Sequence, residues 1–206
     1  MAAVSYPIGT AGPLQAQSTI ESNRFPPGDL AIWVFILAEL AAFGAFFGAY
    51  AFTRMRNVEM FNHYQASLDS DAALINTFAL ITSSYFVVRA VAAIREDDSR
   101  GCVQWLLAAL AMGLLFLVVK GHEYVHHIEA GIRLSTNKFY MFYLSLTFFH
   151  FMHVIMGMVI LAAVAVKANR GGYSDREHTG VETGASYWHM VDLVWLILFP
   201  LVYIMR

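Results

Sequence analysis

The chain has 206 residues, of which 58% are hydrophobic and only 14% charged, with a mean hydropathy of +0.55. Soluble domains are about a quarter charged, so this composition indicates a membrane protein, and a net charge of −2 supplies no basic field for nucleic acid. The single cysteine, Cys102, excludes an internal disulfide or a cysteine-rich metal site.

Residues 1–27 have no basic segment followed by an apolar one, so a cleaved signal peptide is not expected. Their Pro, Gly, Ser and Gln content, with Arg24 as the sole basic residue, reads as a polar tail, mobile or wrapped on a partner. From residue 28 onward five segments approach the ~20 apolar residues that cross a ~30 Å hydrocarbon layer. They cover about 28–52, 72–94, 102–127, 139–166 and 185–205, and together they predict an all-α, five-helix integral membrane bundle in one domain, 28–206. The connections are short and polar. In the last of them, Ser174 with Glu177 and Thr179 with Glu182 have capping-box spacing, which allows a brief helix before the fifth span. Lys and Arg near the span ends number seven on the N-terminal side and six on the other. Without Lys120, which sits partly within its helix, the count leans to a cytoplasmic N-terminus and an outer C-terminus.

Several polar residues stand inside these apolar runs. Glu39 lies near the middle of the first span, where a charge costs about 2.5–3.5 kcal/mol on insertion scales. It reads either as a neutral group hydrogen-bonded to a neighbouring helix or as a proton or lipid-headgroup site. In the third span Lys120 and Glu123 are three apart and share a helix face, near the far interface where polar side chains reach water. His150 and His153 share a face of the fourth span, and His189 and Asp192 a face of the fifth. Arg89 reads as a snorkelling residue. Gly44 and Gly48 form a G-x-x-x-G step that permits close helix approach.

The stretch His122-Glu123-Tyr124-Val125-His126 spells H-E-x-x-H, in which two histidines one turn apart ligate zinc and the glutamate activates water. A membrane-embedded zinc metallopeptidase, with His153 or Asp192 as the third ligand, is therefore one alternative. A small membrane cytochrome, with haem between opposed transmembrane histidines, is another. The residues around the pattern match no zincin helix, and the further zincin signatures do not follow downstream.

Longer motifs point elsewhere. "YWHMVDLVW" (187–195) closely resembles the "YWHFVDVVW" signature of haem-copper oxidase subunit III. "NTFALITSS" (76–84), "KGHEYVHHIEAG" (120–131), "FFHFMHVIMG" (148–157) and "HTGVE" (178–182) resemble, in order, that family's N-T-x-x-L-x-x-S-S, Q-x-x-E-Y, F-H-G-L-H-V-x-x-G and H-x-G-x-E segments. Glu39 falls on its membrane-buried glutamate. The resemblance implies a non-catalytic accessory subunit that stabilises the catalytic subunit and supports proton uptake. It implies no metal and no cofactor in this chain, haem with copper or non-haem iron in the partner subunit I, and phospholipid as a further ligand. It also makes Glu39, Glu123, His150, His153, His178, Glu182, His189 and Asp192 a buried polar framework, with interhelix hydrogen bonding expected of His189 and Asp192. The first two helices of the family's seven-helix form are missing here, as in five-helix bacterial oxidases and in proteins associated with nitric oxide reductase. The ending with Pro200 resembles the last group most. The expected location is the bacterial cytoplasmic membrane, with other complex subunits and lipids as partners.

Overall fold

The computed structural model describes residues 29–205; the tail expected at 1–27 lies outside them. Among the described residues there are six α-helices and no strand: α1 (Leu30–Met55), α2 (Val58–Gln65), α3 (Ser70–Arg95), α4 (Ser99–Glu129), α5 (Lys138–Asn169) and α6 (Thr179–Phe199). A five-residue π-helical turn, Pro200–Ile204, continues α6. Five of these elements, α6 together with its extension, are long and apolar enough to cross a membrane.

Four of the five spanning helices open on a polar residue whose side chain caps the first turn; α6 has no such cap. Asp29, Asp69, Asp98 and Asn137 accept hydrogen bonds from the backbone N–H of Ala31, of Asp71 and Ala72, of Gly101 and of Tyr140, satisfying donors that the first turn leaves free. Three helices end alike. Asp98 N–H reaches the Ala93 carbonyl, Ile132 that of His127 and Gly172 that of Lys167, which is the six-to-one bond of a Schellman turn. The residue before each donor has positive φ, and it is Gly at 131 and 171 but Asp at 97.

The helix α2 is absent from the sequence reading because its eight residues sit in a polar connection; Phe61 and Gln65, one turn apart, are its buried pair. No separate helix precedes the fifth span. Ser174 Oγ accepts from Glu177 N–H in an isolated turn, and α6 itself starts at Thr179.

The most extensive contact is the α3–α4 hairpin, followed by α4–α5, α5–α6 and α3–α6, so these four close on one another and α1 flanks α6 and α5. The most apolar window of α1 is 11% buried, against 56% for the last span. Close approach centres on Trp188. A Cβ added to Gly157 would lie 2.8 Å from its ring, and one added to Gly113 would lie 3.0 Å away. The small-residue step at Gly44 and Gly48 plays no such part: a Cβ there meets nothing within 4 Å, because that side of α1 faces away from the bundle.

Candidate polar core in the membrane

Helix α1 carries Glu39 to the fourth spanning helix, α5, where its Oε2 lies 3.0 Å from His153 Nε2. His153 Nδ1 is 2.8 Å from the Phe149 carbonyl one turn earlier. A carbonyl can only accept, so Nδ1 carries a hydrogen. Nε2 then either accepts from a protonated Glu39 or donates to its carboxylate. In both states the pair as a whole is neutral, which is the form a low-dielectric setting favours.

A second group joins α4, α5 and the turn after α6. Lys120 is fully buried, and its three N–H donors are all used: to Glu123 Oε2 at 2.9 Å, Tyr143 Oη at 3.1 Å and Tyr203 Oη at 2.6 Å. Tyr203 in turn donates to Glu123 Oε1 at 3.0 Å, and Tyr143 donates to the same oxygen. The three-residue step between Lys120 and Glu123 thus makes the pair expected of it, but Lys120 does not reach water. It turns inward because two phenols and a carboxylate replace its hydration shell, and the Tyr124, Tyr143 and Tyr203 rings lie 5.0–5.3 Å from its nitrogen.

A third group sits at the opposite end. Arg95 Nη2 of α3 meets Glu182 Oε1 of α6 at 2.7 Å, and His178 Nε2 meets the same oxygen at 3.2 Å. His178 is the residue preceding α6. With Ser186 and His189, the Arg95–Glu182 pair lines a cavity of about 250 Å³.

The remaining framework residues are dispersed. Asp192 is buried and faces Ser84 of α3; no hydrogen bond joins it to His189. His150 is fully buried, and neither ring nitrogen has a hydrogen-bond partner. The rings of Phe43, Phe116 and Trp195 surround it at 5.2–6.4 Å. That enclosure and the Glu39 bond to His153 leave no opposed histidine pair for haem. Arg89 is exposed, with its guanidinium 5.3 Å from the Trp105 ring.

The zinc arrangement does not form. His122 and His126 are exposed, whereas Glu123 is buried on the other side of α4 and engaged by Lys120 and two tyrosines. No group of three or more His, Cys, Asp or Glu close enough to hold a metal ion occurs among the described residues.

Tyr143 and Tyr203 were missed in the sequence. Tyr143 precedes His150 by seven residues, so helical spacing alone places it on the same face. Nothing local marks Tyr203, because its direction depends on the π-helical turn that starts at Pro200. Thr77, whose Oγ1 accepts from Trp195 Nε1 at 2.9 Å, lies inside the N-T-x-x-L-x-x-S-S segment, so the motif signalled it without stating its role.

A family model described as Cytochrome c oxidase subunit III matches residues 28–206. Cytochrome c oxidase subunit 3 of Thermostichus vulcanus is 36% identical over 177 residues, covering 85% of this chain and 86% of that protein. Heme-copper oxidase subunit I+III of Aeropyrum pernix is 32% identical over 90% of this chain and 24% of its own length. Quinol oxidase subunit 3 of Bacillus subtilis is 27% identical, covering 94% of this chain and 92% of its own.

Proposed function

Since the chain belongs to the cytochrome c oxidase subunit III family, we propose that it acts as the five-span accessory subunit of a bacterial haem-copper terminal oxidase that reduces O2. Its work is structural and indirect: it packs against the catalytic subunit, which carries the haem and copper, and electron transfer proceeds there. The observation that carries this reading is the engagement of the membrane-embedded acids and bases across helices: Glu39 with His153, and the Lys120–Glu123 pair of α4 with Tyr143 and Tyr203. Groups consumed in interhelix bonds hold a scaffold in one geometry. The name of the Aeropyrum relative couples subunits I and III in a single protein, which supports subunit I as the neighbour of this chain.

Within that role Glu39 is the residue we assign to proton handling. Its side chain is 20% exposed while His153 is nearly enclosed, and the pair holds one mobile proton in either of the two states derived above. The orientation that follows the Lys and Arg distribution puts residue 29 on the cytoplasmic side, with the loops at 56–69 and 130–137 outside. The relatives named above are oxidase subunits for cytochrome c or quinol, and this favours O2 over nitric oxide. The ending with Pro200, which resembles the nitric oxide branch, has an internal explanation in the delivery of Tyr203 to Lys120.

The test is a mild-detergent pull-down of the tagged chain from its native membrane, with mass spectrometry and an optical spectrum. Co-elution of a haem-bearing oxidase subunit I with O2 consumption is the expected result. Co-elution of a nitric oxide reductase would move the protein to the other branch, and a colourless chain without partner would overturn the reading.

A further inference from the structure

The H-E-x-x-H stretch fails as a peptidase site because α4 turns its glutamate inward, yet the same rotation leaves its two histidines together outside. His122 and His126 are four residues apart in an unbroken helix, and both are exposed. Residues at that step stand about 5–6 Å apart on one helix face, a spacing from which two imidazoles reach one metal ion with N–metal bonds of about 2.0–2.1 Å. Neither ring takes part in a hydrogen bond or ion pair among the described residues, so a metal has no partner to displace. The neighbouring His127 is different. Its side chain is 12% exposed and its ring packs edge-on against Tyr140 and Tyr143.

The backbone fixes the pair in advance. Ala130 N–H reaches the His126 carbonyl, Ile132 N–H reaches that of His127, and Gly131 between them has positive φ. This Schellman turn anchors the last turn of α4, so little ordering is left for binding to impose. The C-terminus of a helix is its negative pole and favours a cation, and His126 lies in that last turn. Glu129 is exposed three residues further on, on the same face, and adds a negative charge beside the pair. The nearest basic residue in α4, Lys120, is buried and neutralised by Glu123. Val118, one turn before His122, is exposed near the end of the apolar run. From residue 119 to His126 the helix rises about 10 Å at ~1.5 Å per residue, which brings the pair out of the hydrocarbon to where water reaches it.

No third His, Cys, Asp or Glu completes the set among the described residues. Structural zinc takes four protein ligands, whereas two imidazoles with water in the other positions suit a tetragonal ion, and copper(II) heads the affinity order for nitrogen ligands. We propose that His122 and His126 form a peripheral two-histidine chelate for a divalent transition metal, copper(II) before zinc(II), where α4 leaves the membrane. The site belongs to α4 alone and stands whichever catalytic subunit accompanies the chain.

The experiment is a Cu2+ titration of the full chain in detergent, purified on a tag without histidine, read by electron paramagnetic resonance and by the unfolding midpoint. The expected result is one saturable equivalent whose spectrum shows coupling to two nitrogens, displaced by Zn2+ only in excess, with a midpoint that the metal raises. His122→Gln and His126→Gln should each weaken binding at least about tenfold, since even an outer-shell partner of a metal ligand is worth that much. Both should lose the metal-dependent rise and keep the metal-free midpoint. His63→Gln, on the exposed side of α2, should change nothing. Uptake that does not saturate, coupling to a single nitrogen, or unchanged affinity in either α4 variant overturns the proposal and means an adventitious ion only. An equal loss in His63→Gln overturns it as well.

Discussion

Lys120 illustrates how a charge is kept inside an apolar bundle. Its ammonium has exchanged water for one carboxylate and two phenols, and the carboxylate is itself donated to by both phenols. Removing one partner of such a pair leaves the other charge buried alone, a loss of about 3–5 kcal/mol, whereas removing both is often close to neutral. Lys120→Met should therefore lower the thermal denaturation midpoint in detergent far more than the double change with Glu123→Gln, and a double-mutant cycle measures the difference. The Arg95–Glu182 contact has a similar length, but its arginine side chain is 56% exposed. Solvent screening limits it to about 0–1 kcal/mol, so Arg95→Gln should shift the same midpoint little. His122→Ala and His126→Ala, on the exposed side of α4, should fall within about 0.5 kcal/mol of the parent, and neither should alter the complex. A zinc enzyme would lose activity in both.

Among the elements, α6 carries the core and α1 the margin. Trp188 lies against Gly113 and Gly157, so a methyl group at 157 drives into its ring. Gly157→Ala should cost about 1–3 kcal/mol, as overpacking does, read as a lowered unfolding midpoint. Gly44→Ala and Gly48→Ala meet open space and should be neutral or stabilising by up to about 1 kcal/mol, since alanine restricts the helix less unfavourably than glycine. The sequence marks Gly44 and Gly48 by their G-x-x-x-G step and does not mark Gly113, yet it is Gly113 and Gly157 that pack closely. What separates them is which side of the helix faces a neighbour, and α1 has few neighbours within the chain. The π-helical turn is the other decisive element, because it swings Tyr203 back into the bundle. Tyr203→Phe should remove two of the hydrogen bonds around Lys120 and Glu123 and cost about 1–3 kcal/mol.

Taken as a whole molecule, the described chain is a ring of four spanning helices with a fifth laid against it, and two pairs of its ionisable groups meet inside that bundle. Glu39 and His153 are neutral as a pair in either protonation state, and Lys120 with Glu123 balance each other. These two pairs thus add no net charge to the interior, which lowers the cost of holding their ionisable groups in lipid. In the assembled oxidase, Glu39→Gln should keep the bond to His153 and preserve co-purification with the catalytic subunit. Glu39→Ala, which leaves the imidazole unpaired, should weaken it. If Glu39 handles protons, both variants should slow steady-state turnover at alkaline pH, where proton supply limits, and leave the haem spectrum unchanged. Equal turnover of Glu39→Gln and parent across the pH range would remove that role.

The number of spanning helices and their order follow from the sequence by itself, because apolar runs of membrane length are local signals; the helix ends do not, since α6 starts at Thr179, six residues before the apolar run expected from 185. The subunit III motifs likewise reside in short contiguous stretches, and so does the Lys120–Glu123 pairing, which needs only a three-residue step on one helix. The tertiary structure alone decided which polar groups meet: Glu39 with His153 across 114 residues, Tyr203 with Lys120 across 83, and His150 with no hydrogen-bond partner among the described residues. It also decided that Lys120 turns inward and that the glycines of α1 face outward. Periodicity places a side chain on a face of its helix, but which face becomes interior depends on how the helices rotate and cross, and that is settled by packing around Trp188 and Trp195, not by any local run of residues.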